Sequence, residues 1–300
     1  MSVVGPHGPF GNRRPLDSGE SLRSSGPPPA RKRFDSAAAK SSSIALVSSV
    51  VVFTVLAFIV VNAPGWPSVQ QYFLNEHWFW YSLPKIVDAF GVNVRLFCTA
   101  EVLILVLGLL IAVMRSLPGP VFFPVRLIAT IYADIFRALP SLLIIFILGF
   151  GIPGLGIAGV PTDPFLYAVV ALTLVYSAYV SEVYRAGIES IHPSQEAAAR
   201  SLGLNRFQSL RYVIVPQAVR RVIPPLLNDF IGLQKDTALV GFLGVVEVFK
   251  QANIDEAARF NFTPYLVTAS IFLILTVPLA RFTDWLISRE RRRQLAAIAR

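Results

Sequence analysis

Hydrophobic and polar positions along the chain fall into long blocks rather than into the short periods of a soluble fold. Ile44 to Val61 is a run of 18 residues without a charge. Leu96 to Met114 is broken only by Glu101, and Ala138 to about Gly156 and Pro164 to Ser181 are uncharged. Val222 to about Gly244 carries Asp229, Lys235 and Asp236, and Phe260 to Ala280 lies uncharged between Arg259 and Arg281. An α-helix needs about 20 mainly apolar residues to cross the hydrocarbon core of a bilayer. The pattern therefore predicts an all-α polytopic membrane protein with six transmembrane helices, the fifth of them polar.

Residues 1–43 show no apolar period, and Pro27-Pro28-Pro29 is followed by Arg31-Lys32-Arg33. This composition predicts a disordered basic tail. The leader is too long for the charged region of a signal peptide and the run after it too long for the apolar one, which favours a retained anchor helix at 44–61. A segment at 62–90 then lies outside the membrane, and 289–300 forms a second basic tail.

Composition agrees with the blocks. With 54% hydrophobic and 15% charged residues, the chain is too poor in charge to cover a soluble globule, where about a quarter is usual. The net charge of +9 sorts by position. With the N-terminus in the cytoplasm, 22 of the 27 basic residues fall on cytoplasmic pieces and only Lys85, Lys250 and Arg259 outside. That asymmetry places both termini inside and makes the basicity a topology signal rather than a nucleic-acid footprint. Cys98 is the only cysteine, so no intrachain disulfide or CxxC site exists, and His7, His77 and His192 are too scattered for a metal cluster. No Ser/His/Asp or metal constellation suggests a catalytic site. Gly149-Phe-Gly-Ile-Pro-Gly154 spells GxGxxG but follows a membrane helix rather than a strand. Asn261-Phe-Thr263 spells a glycosylation acceptor at a membrane edge, a match expected by chance.

The inner loop, 184–221, carries its own structure. Pro193 suits the first turn of a helix, where no hydrogen bond is lost. Ser194, Gln195, Glu196, Ala197, Ala198, Ala199 and Leu202 follow, and Gly203 is a left-handed cap before Leu204. Asn205 and Gln208 predict a capping box for a second helix that stops at Pro216. A helix of small residues beside a glycine turn suits close docking against another protein. An amphipathic hairpin resting on lipid is the alternative.

These residues resemble a family. Tyr176 to Ser190 is similar to the segment that enters the cytoplasmic loop of polar amino-acid ABC importer permeases. Ser194-Gln195, Ala198-Ala199, Leu202-Gly203 and Val215-Pro216-Gln217-Ala218 resemble that family's GQxEAAxxLG…LPQA loop. Arg220, Pro224-Pro225, Asn228 and Lys235-Asp236-Thr237-Ala238-Leu239 resemble its R…P…N…KDTSL continuation, and Arg137-Ala-Leu-Pro140 its RGTP entry. The likeness runs from about Gly91 to the end. Departures are specific: Glu196 stands one residue before the position of the family's loop glutamate, here Ala197, and Ser194 replaces the usual glycine.

The resemblance implies a type I ABC importer permease domain over 91–288 in the bacterial cytoplasmic membrane. It implies three kinds of partner: an ABC ATPase dimer, a second permease subunit, identical or paralogous, and an extracytoplasmic amino-acid-binding protein. The chain lacks a GxxxxGK phosphate loop followed by Ser or Thr, so ATP would be bound by the partner subunits and the permease would hold no cofactor of its own. The helix at 194–202 becomes the coupling element to the ATPase. Substrate-path candidates are Asn228, Asp229, Gln234, Lys235, Asp236 and Thr237, because intramembrane polar groups are costly and usually functional. Lys235 and Asp236 offer both signs to a zwitterion, and interhelical pairing explains them equally. Arg137 and Glu182 join the candidates, although Glu182 and Arg185 have the spacing of a simple helical ion pair. A self-contained secondary carrier or channel is the rival function; its two related halves are not visible here.

Overall fold

A computed structural model of the chain describes residues 31–298, with side chains over 43–289 and at Arg292. Two units divide it, one ending at Pro64 and one beginning at Gly65. The first unit contains α1 (Arg31–Val61). This helix begins within the expected tail, where Ala37-Ala38-Ala39-Lys40 are strong helix formers; the rest of that tail, residues 1–30, lies outside the described residues. From Ser43 to Val61 the side chains of α1 are exposed all round, as a helix in lipid requires.

The second unit begins with α2 (Trp66–Phe73) and α3 (Glu76–Ser116). Asn75 caps α3 by accepting the Trp78 N–H at 3.3 Å. At 1.5 Å per residue α3 is about 60 Å long, so it extends well before the span expected from Leu96 and takes in much of the 62–90 segment. Its buried stripe, Leu96, Ala100, Ile104, Gly108 and Ile111, repeats at helical spacing. A Cβ built on Gly108 would stand 2.7 Å from Val180 Cγ1, so the glycine lets two helices close on each other.

The third span departs from the expected straight helix at 138–156. A helix α4 (Phe123–Ala138) precedes it, and α5 (Ser141–Phe146), a π turn (Ile147–Gly151) and α6 (Ile152–Gly154) follow at 104° to α4. Pro140 is the cause: it excludes the helical conformation from the residue before it, and Leu139 is extended at φ −93° and ψ 141°.

The centre of the bundle is α7 (Pro164–Glu189), in which Ala168, Ala171, Leu172, Val175 and Ala178 are all but inaccessible. After it come α8 (Pro193–Ser201) and α9 (Arg206–Ser209). The expected stop at Pro216 is not found. A π turn at Leu210–Ile214 leads directly into α10 (Val215–Asp236), which also contains Pro224 and Pro225. Pro216 falls in the first turn of α10, where its missing N–H costs nothing, and the π turn absorbs the change of pitch. A 3₁₀ stretch, Thr237–Leu243, tightens the chain to Gly244 at φ 88°, and α11 (Val248–Arg259) leaves at 48°. The last helix, α12 (Thr263–Ile298), is longer than the apolar run that announced it. Asn261 is buried, donating to the Gln71 carbonyl at 2.9 Å and capping Thr263 at 3.0 Å. Among the described residues four helices are long and apolar enough to cross a membrane, or up to six spans when each bent pair counts as one.

Candidate functional site in the loop after the fourth span and along the fifth

The loop is built by local capping. His192 Nδ1 accepts the Ser194 N–H at 3.2 Å and opens α8, with Pro193 in its first turn. At the other end the Leu204 N–H reaches the Ala199 carbonyl at 3.2 Å and the Gly203 N–H reaches Arg200 at 3.0 Å. This pair of bonds is a Schellman motif, which demands a left-handed residue at Gly203, and its φ is 86°. Asn205 and Gln208 exchange side-chain bonds with each other's N–H at 2.9 Å, completing the capping box.

On α8 only Ala199 faces inward; Ser194, Gln195, Ala197 and Ala198 are exposed and Glu196 is half-buried. Glu196 has no hydrogen-bond or ion-pair partner among the described residues. Leu202 is 84% exposed and Phe207 70%, whereas Leu204 is half-buried. Leu202 and Phe207 are thus the most exposed large apolar side chains of this loop, ahead of Tyr212 and Leu210. The ends of the loop are fixed: Ile191 is buried, and the Arg221 guanidinium of α10 donates to the Ser190 carbonyl. Nearby, a Cβ on Gly187 would collide with Val222, so α7 and α10 touch backbone to side chain there.

The polar residues of α10, with Thr237 just after it, fall into three pairs. Asp229 and Asp236 lie within electrostatic reach of Tyr176 of α7, and Gly232 between them admits the tyrosine, whose Oη would lie 3.1 Å from a Cβ at that position. Glu101 of α3 is within electrostatic reach of Asp229, one of whose carboxylate oxygens is buried without a hydrogen-bond partner. Asn228 and Lys235, seven residues apart and so on one side of the helix, are exposed. Gln234 and Thr237 turn inward instead. Gln234 accepts from Thr276 at 3.1 Å, and Thr237 accepts from Asn93 at 3.0 Å.

Asn93 belongs to a network that the sequence did not announce. Its amide also donates to Glu247 at 3.2 Å, and its carbonyl oxygen accepts the Val248 N–H at 3.1 Å. Glu247, fully buried, caps α11 through the N–H groups of Phe249 at 2.9 Å and Lys250 at 2.7 Å. Gly241 lies against the same carboxylate, 2.5 Å from a built Cβ to Oε1. Arg137 and Glu182, in turn, are brought together: Glu182 binds Arg115 at 2.5 Å, Arg185 at 2.7 Å and Arg137 at 3.3 Å. The expected pair with Arg185 is present as one contact of three.

A bent third span, an exposed small-residue helix beyond the fourth span and a polar fifth span form one arrangement, and comparison with known proteins identifies it. The family model for the binding-protein-dependent transport system inner membrane component matches residues 104–292. The chain belongs to that family.

This permease is 38% identical over 185 residues to the probable glutamine ABC transporter permease protein GlnM of Bacillus subtilis, covering 61% of its own length and 83% of the relative. The arginine transport system permease protein ArtQ of the same organism is 31% identical, with 69% and 93% covered. Among solved structures, an amino acid ABC transporter matches with a TM-score of 0.62 and 31% identity, over 69% of this permease and 94% of that chain. The inward-facing MetNI methionine ABC transporter shares the fold at a TM-score of 0.55 and 17% identity, over 68% and 94%. The permease is therefore a multi-pass component of the cytoplasmic membrane, of type I importer fold and not itself an enzyme. Its family works with a separate ATPase and a binding protein.

Proposed function

We propose that this permease forms the membrane path of an amino-acid importer and takes its driving force from an ABC ATPase dimer docked on α8. The observation that carries the reading is α8 itself. Its outward face presents the short side chains of Ser194, Ala197 and Ala198 beside the longer Gln195 and Arg200, its end is fixed by Gly203, and Leu202 and Phe207 stand exposed beside it. Such a surface admits close approach and offers two apolar anchors. The names of the relatives support an amino acid as the cargo. ATP binds to the partner subunits, an extracytoplasmic binding protein delivers the substrate, and a second permease subunit completes the path.

The substrate passes along α10. Asp229 and Asp236 present carboxylates toward α7, and Asn228 and Lys235 face outward from the helix bundle of this chain. A zwitterion needs both signs, and this stretch supplies both. Gln234 and Thr237, bonded to α12 and α3, fix the orientation of α10. Both termini lie in the cytoplasm, on the side rich in arginine. Co-expression with a cognate ATPase tests the reading: α8 holds the ATPase through detergent purification, and replacing Ala198 by Trp releases it while the permease still inserts. Retention of the ATPase by that variant contradicts the assignment of α8.

A further inference from the structure

The loop and the membrane helices are joined at a set of charges that includes Glu182 and Arg137, both offered by the sequence as substrate-path candidates and here drawn into one cluster with Arg115 and Arg185. Glu182 lies two turns before the end of α7, with its side chain 18% exposed. One of its oxygens takes Arg115 at 2.5 Å and Arg137 at 3.3 Å; the other takes Arg185, through Nε at 3.0 Å and Nη2 at 2.7 Å. Arg115 belongs to the last turn of α3 and Arg137 to the last turn of α4. A single carboxylate therefore ties the ends of three helices.

The cluster continues toward the loop. Arg185 also binds Glu189, the last residue of α7, at 2.6 Å. The next residue, Ser190, receives Arg221 from α10, and three residues later α8 begins. Toward the membrane, Tyr179 donates to the Arg137 carbonyl at 3.2 Å, and Tyr132 of α4 bonds Leu174 and Ser177 of α7 at 2.9 and 2.8 Å. Arg137 stands two residues before Leu139, where the third span turns by 104°.

Exposed ion pairs at (i, i+3) spacing contribute little, so a pairing with Arg185 alone would be unremarked decoration of α7. Three guanidiniums from three helices converging on one shielded carboxylate are different. Without the carboxylate the cations repel one another, so the charge of Glu182 sets how the ends of α3, α4 and α7 lie against each other. Charge-assisted bonds of this length weaken steeply as they stretch.

We propose that Glu182 is a positioning residue that passes displacement of α8, along the end of α7, to the ends of α3 and α4 and so to the bend at Leu139-Pro140. The inference rests on the reading of α8 as the ATPase contact and adds the route by which motion there reaches the membrane path.

The test uses the whole transporter, permease with ATPase and binding protein, and compares basal with substrate-stimulated ATP hydrolysis and substrate moved per ATP. For Glu182→Gln the complex assembles and basal hydrolysis stays within about twofold, while the stimulation ratio falls about tenfold, inside the ordinary range of coupling between sites. Glu182→Asp recovers part of the ratio. Arg137→Gln gives a smaller loss, and adding it to Glu182→Gln changes nothing further, because Arg137 acts through Glu182. A stimulation ratio of wild-type size in Glu182→Gln overturns the proposal. So does a fall of basal and stimulated rates together in proportion to lost complex, the mark of a purely structural role. If Glu182→Gln does not assemble, Arg137→Gln decides, since the Arg137 side chain is 40% exposed and its replacement leaves no buried hole: an unchanged ratio there is equally fatal. A wild-type complex whose hydrolysis never responds to substrate removes the α8 reading and this inference with it.

Discussion

Replacing Gly203 separates the two demands placed on the loop. Its φ of 86° lies in the left-handed region, where an L-residue with a Cβ pays about 1–2 kcal/mol. Within this chain a Cβ at Gly203 meets nothing within 4 Å, so Gly203→Ala introduces backbone strain and no clash. A strain of that size lowers the population of the native turn by about five- to thirtyfold, provided that nothing else holds it. The Schellman bonds to Ala199 and Arg200 and the capping box after them oppose the change, so the observed effect should lie toward the lower figure. Asparagine tolerates the left-handed region better and should restore the turn, while its side chain still projects toward a docked partner. Aspartate adds a charge to that projection. The assay measures inserted permease by immunoblot, ATPase retained on purification, and uptake. Insertion should be near normal throughout. Uptake should fall moderately for Gly203→Ala and most for Gly203→Asp, and Gly203→Asn placed below Gly203→Ala would show that close approach outweighs the turn. Gly203→Asp transporting at the wild-type rate would refute the reasoning.

Three further outcomes are expected. Asn93→Ala leaves the Val248 N–H and Glu247 short of a partner in a fully buried site; it should cost about 1–3 kcal/mol, seen as a lower melting temperature of the purified permease, and an unchanged melting curve would mean that water replaces the amide. Lys235→Met and Asp236→Asn should each reduce uptake while the complex assembles in normal amount, and normal uptake in both returns these charges to a packing role. With the exposed Cys98 replaced by serine, cysteines at Ser24 and Ala296 should escape an impermeant thiol reagent in intact cells, and labelling of either reverses the topology.

Much of the architecture is local and therefore legible in the sequence. Uncharged runs announce the spans, Asn205 and Gln208 announce their capping box, and Gly203 announces its own backbone conformation. Pro140 carried an equally local signal, yet an apolar run hides a bend inside it: hydropathy reports what a residue is, not the direction of the chain. Pro216 misleads in the opposite sense, because the π turn at 210–214 leaves it in the first turn of α10, where a proline is tolerated. Long-range pairings were out of reach. Asn93 and Glu247 are 154 residues apart, and neither has a neighbour in sequence that hints at the other. Glu182 shows the limit most clearly. Its spacing to Arg185 is readable as a helical pair, but Arg115 and Arg137 arrive from other helices, and only the packing of α3 and α4 on α7 makes one carboxylate a three-way tie.

The claim that this permease is driven through α8 by a separate ATPase is tested most directly by uptake into proteoliposomes. The permease is reconstituted with its ATPase, the binding protein and labelled amino acid are supplied on the outside, and ATP is either enclosed or replaced by an imposed ion gradient. Uptake that requires enclosed ATP and the binding protein, and is unmoved by the gradient, is the predicted result. Uptake that follows the gradient and proceeds without the ATPase would contradict it, and would make the chain a self-contained carrier.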